Sequence, residues 1–294
     1  MNPKKNVTVI GVGNMGGAMA ANLLAHGWQV EVCDIEPLKV AGLKSFGALA
    51  CDLPDQAAIN SIAYLICVVD AMQTDAVLFG DGGLAGMLQP GQVVMLCPTM
   101  APDDLENFTQ RLATRGIHVV DAPMSGGPLR AREGSMSLMV ACDDAVFARL
   151  SGLLQTLASK VFKISEKPGD AARTKLVNNL LAGINLVGAA EALALAGRLG
   201  LDLTTTLDVI EQSSGQSWIG SDRMRRALAD DFAPRAHVTL LEKDTRLALD
   251  CARAAGFDGP LGKHASSVFA RASAAGLAGL DDAAVFTYLS SAKD

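Results

Sequence analysis

Three glycines, Gly11, Gly13 and Gly16, stand at the spacing G-x-G-x-x-G within VTVIGVGNMGGAMAANLLAHG. That residue type at that spacing suits close approach of a backbone to phosphate. Gly11 permits a tight turn, Gly13 leaves room for a pyrophosphate, and Gly16 lets a helix pack on a strand. The helix opening at Asn14 and Met15 would turn free N–H groups and a positive dipole end toward the anion. Alone the spacing is a weak signal, but here it follows an apolar strand run and opens a helical pattern. Asp34 ends the next apolar run, QVEVCD, about 20 residues downstream, where a carboxylate accepts hydrogen bonds from an adenosine ribose. It would repel a 2′-phosphate, and no arginine follows immediately to receive one. These residues predict NAD rather than NADP. The competing reading is a tight-turn glycine cluster beside a surface aspartate.

Two further stretches carry polar groups where chemistry could occur. Ser125-Gly126-Gly127, within DAPMSGGPLRAREGS, offers a hydroxyl and two adjacent N–H groups that could form a nest for a small carboxylate. The segment is read as non-helical, and taken alone it reads better as a flexible loop between strands. The run KLVNNLLAGINLVGAA puts Lys175, Asn178 and Asn179 at the head of a very apolar helix. Lys175 and Asn179 are four apart and share a face. Asp170 is read as the cap, placing Lys175 in the second turn. Partial burial lowers a lysine pKa, so such an amine could carry the hydroxyl proton in an alcohol oxidation. A snorkelling surface lysine is an equal reading of this stretch alone.

The elements that must position these groups fall into two halves. Strand-like runs at residues 7–11, 29–34, 62–69, 92–97, 117–120, 135–141 and 161–164 alternate with helical patterns at 15–26, 38–46, 102–114 and 145–157. Such alternation predicts a mostly parallel sheet covered on both faces. After residue 164 no convincing strand follows. Helices are expected at 171–199, 203–212, 217–229, 238–255, 261–275 and 282–290, with a break near Lys167-Pro168-Gly169. A polar helix head at such a junction would meet a cleft between domains, a common ligand site.

Composition narrows the classes. The 294 residues are 50% hydrophobic and 19% charged, which describes a chain with a large core. The net charge of −6 argues against a nucleic-acid partner. The six cysteines include no C-x-x-C pair and read as small buried hydrophobes in a reducing compartment. The four histidines have no ligand-spaced partners, so no metal is expected. The start MNPKKNVTVIG has too short an apolar run for a signal peptide, and the uncharged run from Leu176 to Ala190 is short for a span. A cytoplasmic protein with no membrane association is expected.

The order GVGNMGGAMAANLL, DAPMSGG, GDAARTKLVNN, EKDTRLA resembles the β-hydroxyacid dehydrogenases over nearly the whole chain. The resemblance implies an α/β N-terminal Rossmann domain (residues 1–165) and an all-α C-terminal domain (166–294) joined by a long inter-domain helix. It implies Lys175 as the catalytic lysine, Ser125, Gly126 and Gly127 as the substrate-carboxylate loop, and Asn179 as a substrate contact. The lysine of the family's late K-D motif falls on Lys243, on the nicotinamide side, with Asp244 beside it. Thr99, in Cys97-Pro98-Thr99, matches a Ser/Thr pair near the nicotinamide. Departures are Ala171 for a usual glycine, GVG for GLG, and Pro98, which bears on the local cofactor contact.

Three stretches, VLFGDGGLAGML, SSGQSWIGSDRM and DDAAVF, are most like the branch acting on L-threonate, with Trp218 and Arg223 as candidate pocket residues. Packing is an equal reading of Trp218. The expected reaction is NAD-dependent oxidation of a small hydroxy acid, L-threonate to 2-dehydro-L-erythronate. Alternatives are a 2-hydroxy-3-oxopropionate reductase, a 3-hydroxyisobutyrate dehydrogenase or an imine reductase, the last disfavoured by Lys175. A regulatory NAD-binding protein without turnover is the alternative of a different class. The long apolar helix needs cover on most sides, so a homodimer or homotetramer is expected.

Overall fold

Val7-Thr8-Val9-Ile10 is β-branched throughout, which favours extended backbone. In the computed structural model it lies in strand β1 (Asn6–Ile10). The structure describes residues 5–57 and 60–291; the charged start at 1–4 and residues 292–294 of the expected helical domain lie outside these. By its contacts the chain divides into two compact units, residues 1–175 and 176–294.

In the first unit β1 is followed by α1 (Asn14–Ala25), β2 (Gln29–Cys33), α2 (Pro37–Lys44), β3 (Leu49–Ala50), β4 (Tyr64–Ile66), α3 (Ala71–Phe79), β5 (Val93–Leu96), α4 (Pro102–Ala113) and β6 (His118–Asp121). These strands pair in parallel in the order β3-β2-β1-β4-β5-β6. The order reverses at β1 and β4, the switch point where doubly wound sheets bind ligands beyond the strands' carboxyl ends. Val9, Val32, Leu65 and Met95 face one apolar layer, with Met19 and Leu23 of α1. Ile10, Tyr64, Ile66, Val94 and Leu96 face the other, with Leu78 of α3 and Leu105, Phe108 and Leu112 of α4. Each fully buried Leu, Val, Ile or Met contributes about 1.5–3 kcal/mol.

The rest of this unit comprises β7 (Met124–Ser125), α5 (Gly127–Glu133), β8 (Met136–Ala141), α6 (Asp144–Leu157) and β9 (Ala158–Ser165). β8 runs antiparallel to β6 and β7 and parallel to β9. One expectation fails here. The segment 121–135 is not wholly irregular: Pro128 presets the first turn of α5, Leu129 to Glu133 are good helix formers, and left-handed Gly134 ends it. α3 starts at Asp70, whose side chain accepts the Gln73 N–H at 2.9 Å.

α7 (Asp170–Arg198) begins in the first unit and continues through the second. The sequence points to Asp170 as its cap. Instead Asp121, at the end of β6, accepts the N–H groups of Gly169 at 2.8 Å and Ala172 at 3.0 Å through Oδ2. Asp170 binds the Ser165 hydroxyl and Arg173. The cap comes from 48 residues upstream, which local spacing could not reveal.

The second unit adds α8 (Leu203–Glu211), α9 (Trp218–Leu228), α10 (Val238–Ala254), α11 (Pro260–Ala272) and α12 (Val285–Ser291). Its core gathers Leu186, Ala190 and Leu193 of α7 with Leu207, Met224, Leu241, Phe269 and Val285. Buried Asp281 ties this unit together, accepting Arg226 at 2.9 Å and the Arg235 N–H at 2.8 Å. Among the described residues α7 alone is long and apolar enough to cross a membrane by length and composition.

Candidate active site

The glycine loop lies at the carboxyl end of β1. Gly11 has φ +86° and donates its N–H to Cys33 O at 2.9 Å. A Cβ on Gly16 would lie 2.0 Å from Gly11 O, whereas one on Gly13 meets nothing within 4 Å. Gly13 caps α1 without any side-chain acceptor for its first-turn N–H groups, and exposed Asn14 and half-buried Met15 begin that helix. A cradle left open at Gly13, with uncapped N–H donors behind it, fits a dinucleotide pyrophosphate.

Asp34 follows β2 and ties this corner together. Its Oδ2 accepts the Val12 N–H at 2.7 Å and its Oδ1 accepts the Glu36 N–H at 2.9 Å. Each carboxylate oxygen keeps a lone pair for a ribose hydroxyl. Thr99, half-buried, stands three residues beyond β5 on the same carboxyl edge of the sheet.

Ser125 is paired with Ser137 of β8, and Gly126 and Gly127 turn the chain with φ of +130° and +75°. Both glycines adopt backbone that other residues avoid, so this loop is a built turn. Four residues earlier Asp121 is fully buried. Burial pushes its carboxyl up to about 6, against the backbone N–H groups of Ala172 and Gly169 that favour its charged form. Its Oδ1 accepts no hydrogen bond among the described residues. Asp121 therefore joins the end of β6, four residues before Ser125, to the start of α7, which carries Lys175. Lys175 is only 7% exposed.

In the second unit a polar chain runs through Asn178, Asn179, Asp244 and Lys243. Asn178 Nδ2 donates to Asn179 Oδ1 at 3.0 Å, and Asn179 Nδ2 donates to Asp244 Oδ2 at 2.6 Å. Asp244 Oδ1 has no hydrogen bond among the described residues but lies 3.4 Å from the Lys243 ammonium. Asp244 thus fixes which way the Asn179 amide points. Its role is invisible in local sequence because the partners are 65 residues apart.

The structure thus groups the Gly11–Gly16 loop, Asp34, Thr99, Ser125–Gly127 and Lys175 in one unit, and Asn179 and Lys243 in the other. Arg223 is held by Asp282 and Asp222, so its guanidinium serves the helical framework. Trp218 is half-exposed at the first turn of α9. The Gly80-Asp81-Gly82-Gly83 stretch lines a cavity of about 870 Å³ with Arg111 and Arg115, and none of the site residues borders it.

Comparison with known proteins adds identity to this geometry. Residues 6–165 match the NAD binding domain of 6-phosphogluconate dehydrogenase, and residues 169–289 match the NAD-binding region of NADP-dependent 3-hydroxyisobutyrate dehydrogenase. L-threonate dehydrogenase of Cupriavidus necator is 37% identical over 281 residues, covering 96% of this chain and 95% of that one. 3-hydroxyisobutyrate dehydrogenase of Pseudomonas aeruginosa is 34% identical over 271 residues, with 90% and 91% covered. A crystal structure of 3-hydroxyisobutyrate dehydrogenase from Salmonella typhimurium superposes with a TM-score of 0.90 at 36% identity, covering 96% of this chain and 99% of that one. A dinucleotide cradle, an N-terminal doubly wound sheet, a helical second half and these relatives place the chain in the β-hydroxyacid dehydrogenase family of NAD-binding oxidoreductases.

Proposed function

We propose that this enzyme oxidises L-threonate to 2-dehydro-L-erythronate with NAD, and that Lys175 carries the proton. The observation that carries this reading is a buried lysine on a helix whose start is held by Asp121, four residues before the Ser125-Gly126-Gly127 turn. The substrate follows the L-threonate dehydrogenases, 37% identical over 96% of the chain. The dinucleotide half is assigned to residues 1–165 and the helical half to 166–294.

Bound NAD supplies the hydride acceptor. The Ser125 hydroxyl and the N–H groups of Gly126 and Gly127 hold the substrate carboxylate. Lys175 Nζ takes the hydroxyl proton as the carbinol carbon is oxidised, and returns one in the reverse direction. The second N–H of the Asn179 amide, not used by Asp244, orients a substrate hydroxyl. Holding these groups in line contributes much of the rate. Gly11, Gly13, Asn14, Met15 and Gly16 cradle the pyrophosphate, and Thr99 and Lys243 serve the nicotinamide end. Asp34 takes the adenosine ribose and rejects a 2′-phosphate.

The assignment extends to a cytoplasmic homodimer or homotetramer. Val177, Leu181 and Leu195 of α7 are exposed, as is Leu199 in the turn just after it, and Val177 and Leu195 are five helical turns apart on one face. In this reading that apolar stripe meets a second copy of the chain.

The test is NADH absorbance with L-threonate, D-threonate, 3-hydroxyisobutyrate, D-glycerate and serine. L-threonate should give the highest kcat/KM. Preference for 3-hydroxyisobutyrate would move the chain to the branch of its 34%-identical relative, and preference for NADP would overturn the role of Asp34. Lys175→Met should lower turnover at least about a hundredfold, the scale of lost acid–base catalysis, with NAD affinity nearly unchanged.

A further inference from the structure

Two thiols outside this assignment face each other at the edge of the sheet. β2 and β3 run parallel with Glu31 opposite Leu49 and Val32 opposite Ala50, so the next pair in register is Cys33 and Cys51. The Cys51 N–H continues the ladder, donating to Val32 O at 3.1 Å. Both cysteines lie in the same apolar layer with Ile10, Tyr64 and Ile66. The Cys51 thiol lies along the same ladder, its Sγ 4.0 Å from Val32 O. Neighbouring strands lie about 4.8 Å apart, within the Cα separation of about 4.4–6.8 Å that a disulfide spans. Closing from the strand spacing to the Cβ separation of about 3.8 Å in a disulfide is an inward movement of about 1 Å. β3 can give it, being a two-residue edge strand flanked by exposed Asp52.

The two thiols are unequal. The neighbouring Cys51 thiol lowers the pKa of Cys33, against burial and the nearby Asp34, Glu31 and Asp52 carboxylates. The Cys33 sulfur beside it, with burial, pushes the Cys51 thiol up. Cys33 is the sulfur that ionises first and so the one that reacts first.

We propose that Cys33 and Cys51 form a peroxide-oxidisable dithiol whose disulfide ties the end of β2 to the sheet edge and weakens NAD binding at the adjacent Asp34. In the first step the Cys33 thiolate attacks a peroxide oxygen. An S–O bond forms, the O–O bond breaks, and the departing hydroxide is protonated to water. The Cys51 sulfur then attacks the Cys33 sulfenic acid. The S–S bond forms, the S–O bond breaks, and a second water leaves with the Cys51 proton. Two thiols lose two electrons and one hydrogen peroxide becomes two waters.

Coupling to the cofactor follows from chain continuity and rests on the assignment of Asp34 above. Asp34 directly follows Cys33, and its carboxylate holds the Val12 N–H at 2.7 Å. Drawing Cys33 toward the edge displaces that carboxylate. Cys67 and Cys97 provide an internal comparison. They stand in the same register beyond β4 and β5, with Cys97 N–H on Ile66 O at 3.0 Å. Their strands are central rather than at an edge, and Cys67 is packed beneath Gly16. This pair stays reduced.

The test treats the full-length reduced protein with hydrogen peroxide, alkylates remaining thiols, and maps linked peptides by mass spectrometry. NAD affinity is measured before and after. The expected result is a Cys33–Cys51 link that leaves four of the six cysteines alkylated. The NAD Kd should rise about tenfold, the scale of one hydrogen bond to a charged group, and dithiothreitol should restore it. Cys51→Ser should bind NAD like the reduced protein and give no linked peptide after peroxide, Cys33 stopping at the sulfenic acid or its further oxidation products, with Cys51→Ala as a second variant should the serine fold poorly. Alkylated Cys33 and Cys51 after peroxide, a link at Cys67 and Cys97 instead, or an unchanged Kd in the linked protein would each overturn the proposal. Failure of the reduced protein to bind NAD would reject the cofactor assignment instead, while the peptide map still decides the thiol pair.

Discussion

A Cβ placed on Gly16 would lie 2.0 Å from the Gly11 oxygen and 2.9 Å from the Cys67 Cβ, while one on Gly13 enters open space. The two substitutions should therefore separate folding from binding. Gly16→Ala overpacks the α1–β1 junction and should cost about 3 kcal/mol or more of stability. Gly13→Ala, at an N-cap with φ −67°, should stay within about 1 kcal/mol of the parent. Its methyl fills the cradle, so NAD affinity should fall at least about tenfold, or 1.4 kcal/mol. Thermal unfolding and calorimetric titration check the pair; normal NAD binding by Gly13→Ala would remove the loop from the cofactor site. At this scale the sequence was informative because glycine spacing is local. It could not reveal that Asp34 also holds Val12, or that Asp244 orients Asn179, because those partners meet only through the fold.

Elements extend the same lesson. Apolar runs such as Val93 to Leu96 were legible as central parallel strands because both their faces are buried. The helix at Gly127–Glu133 was hidden by the glycines and proline before it, although Pro128 is what starts it. The cap of α7 was misassigned to Asp170 because a local acid is the ordinary candidate, whereas Asp121 reaches it from β6. That substitution of one cap for another has a pH signature. The buried Asp121 carboxyl is raised to about 6 from its ordinary 3.8. Between those values the folded protein holds a proton that the unfolded chain has lost, so stability falls as pH rises from about 4 to about 6. The size is at most about 3 kcal/mol. Asp121→Asn keeps one acceptor for the cap and cannot ionise, so it should flatten this part of the profile. Thermal melts of both proteins from pH 4 to 7 check it; an unchanged difference across that window would show that Asp121 does not titrate there.

For the whole molecule, the question is what covers α7. Its composition alone is compatible with a membrane span, yet Leu186, Ala190 and Leu193 are already buried in the helical core. What is left is the exposed stripe of Val177, Leu181, Leu195 and Leu199. Size-exclusion chromatography with light scattering should find a dimer or tetramer without detergent. Leu195→Glu should shift the population toward monomer, with little loss of helix by circular dichroism. A monomeric parent protein would remove self-association as the stripe's role. The division into a doubly wound half and a helical half was legible in the sequence because strand-like runs stop after residue 164. The antiparallel placement of β8 was not, because an apolar run carries no direction.

Asp121 is the first residue of the DAPMSGG segment and also the cap of the helix bearing Lys175. That double duty limits how the enzyme can be recombined. A chimera that imports a relative's 121–135 segment without its matching helix start would leave Gly169 and Ala172 N–H groups with an ill-fitting acceptor. The segments 121–135 and 169–175 are tied to each other through this one carboxylate. Engineering of substrate range should exchange them together.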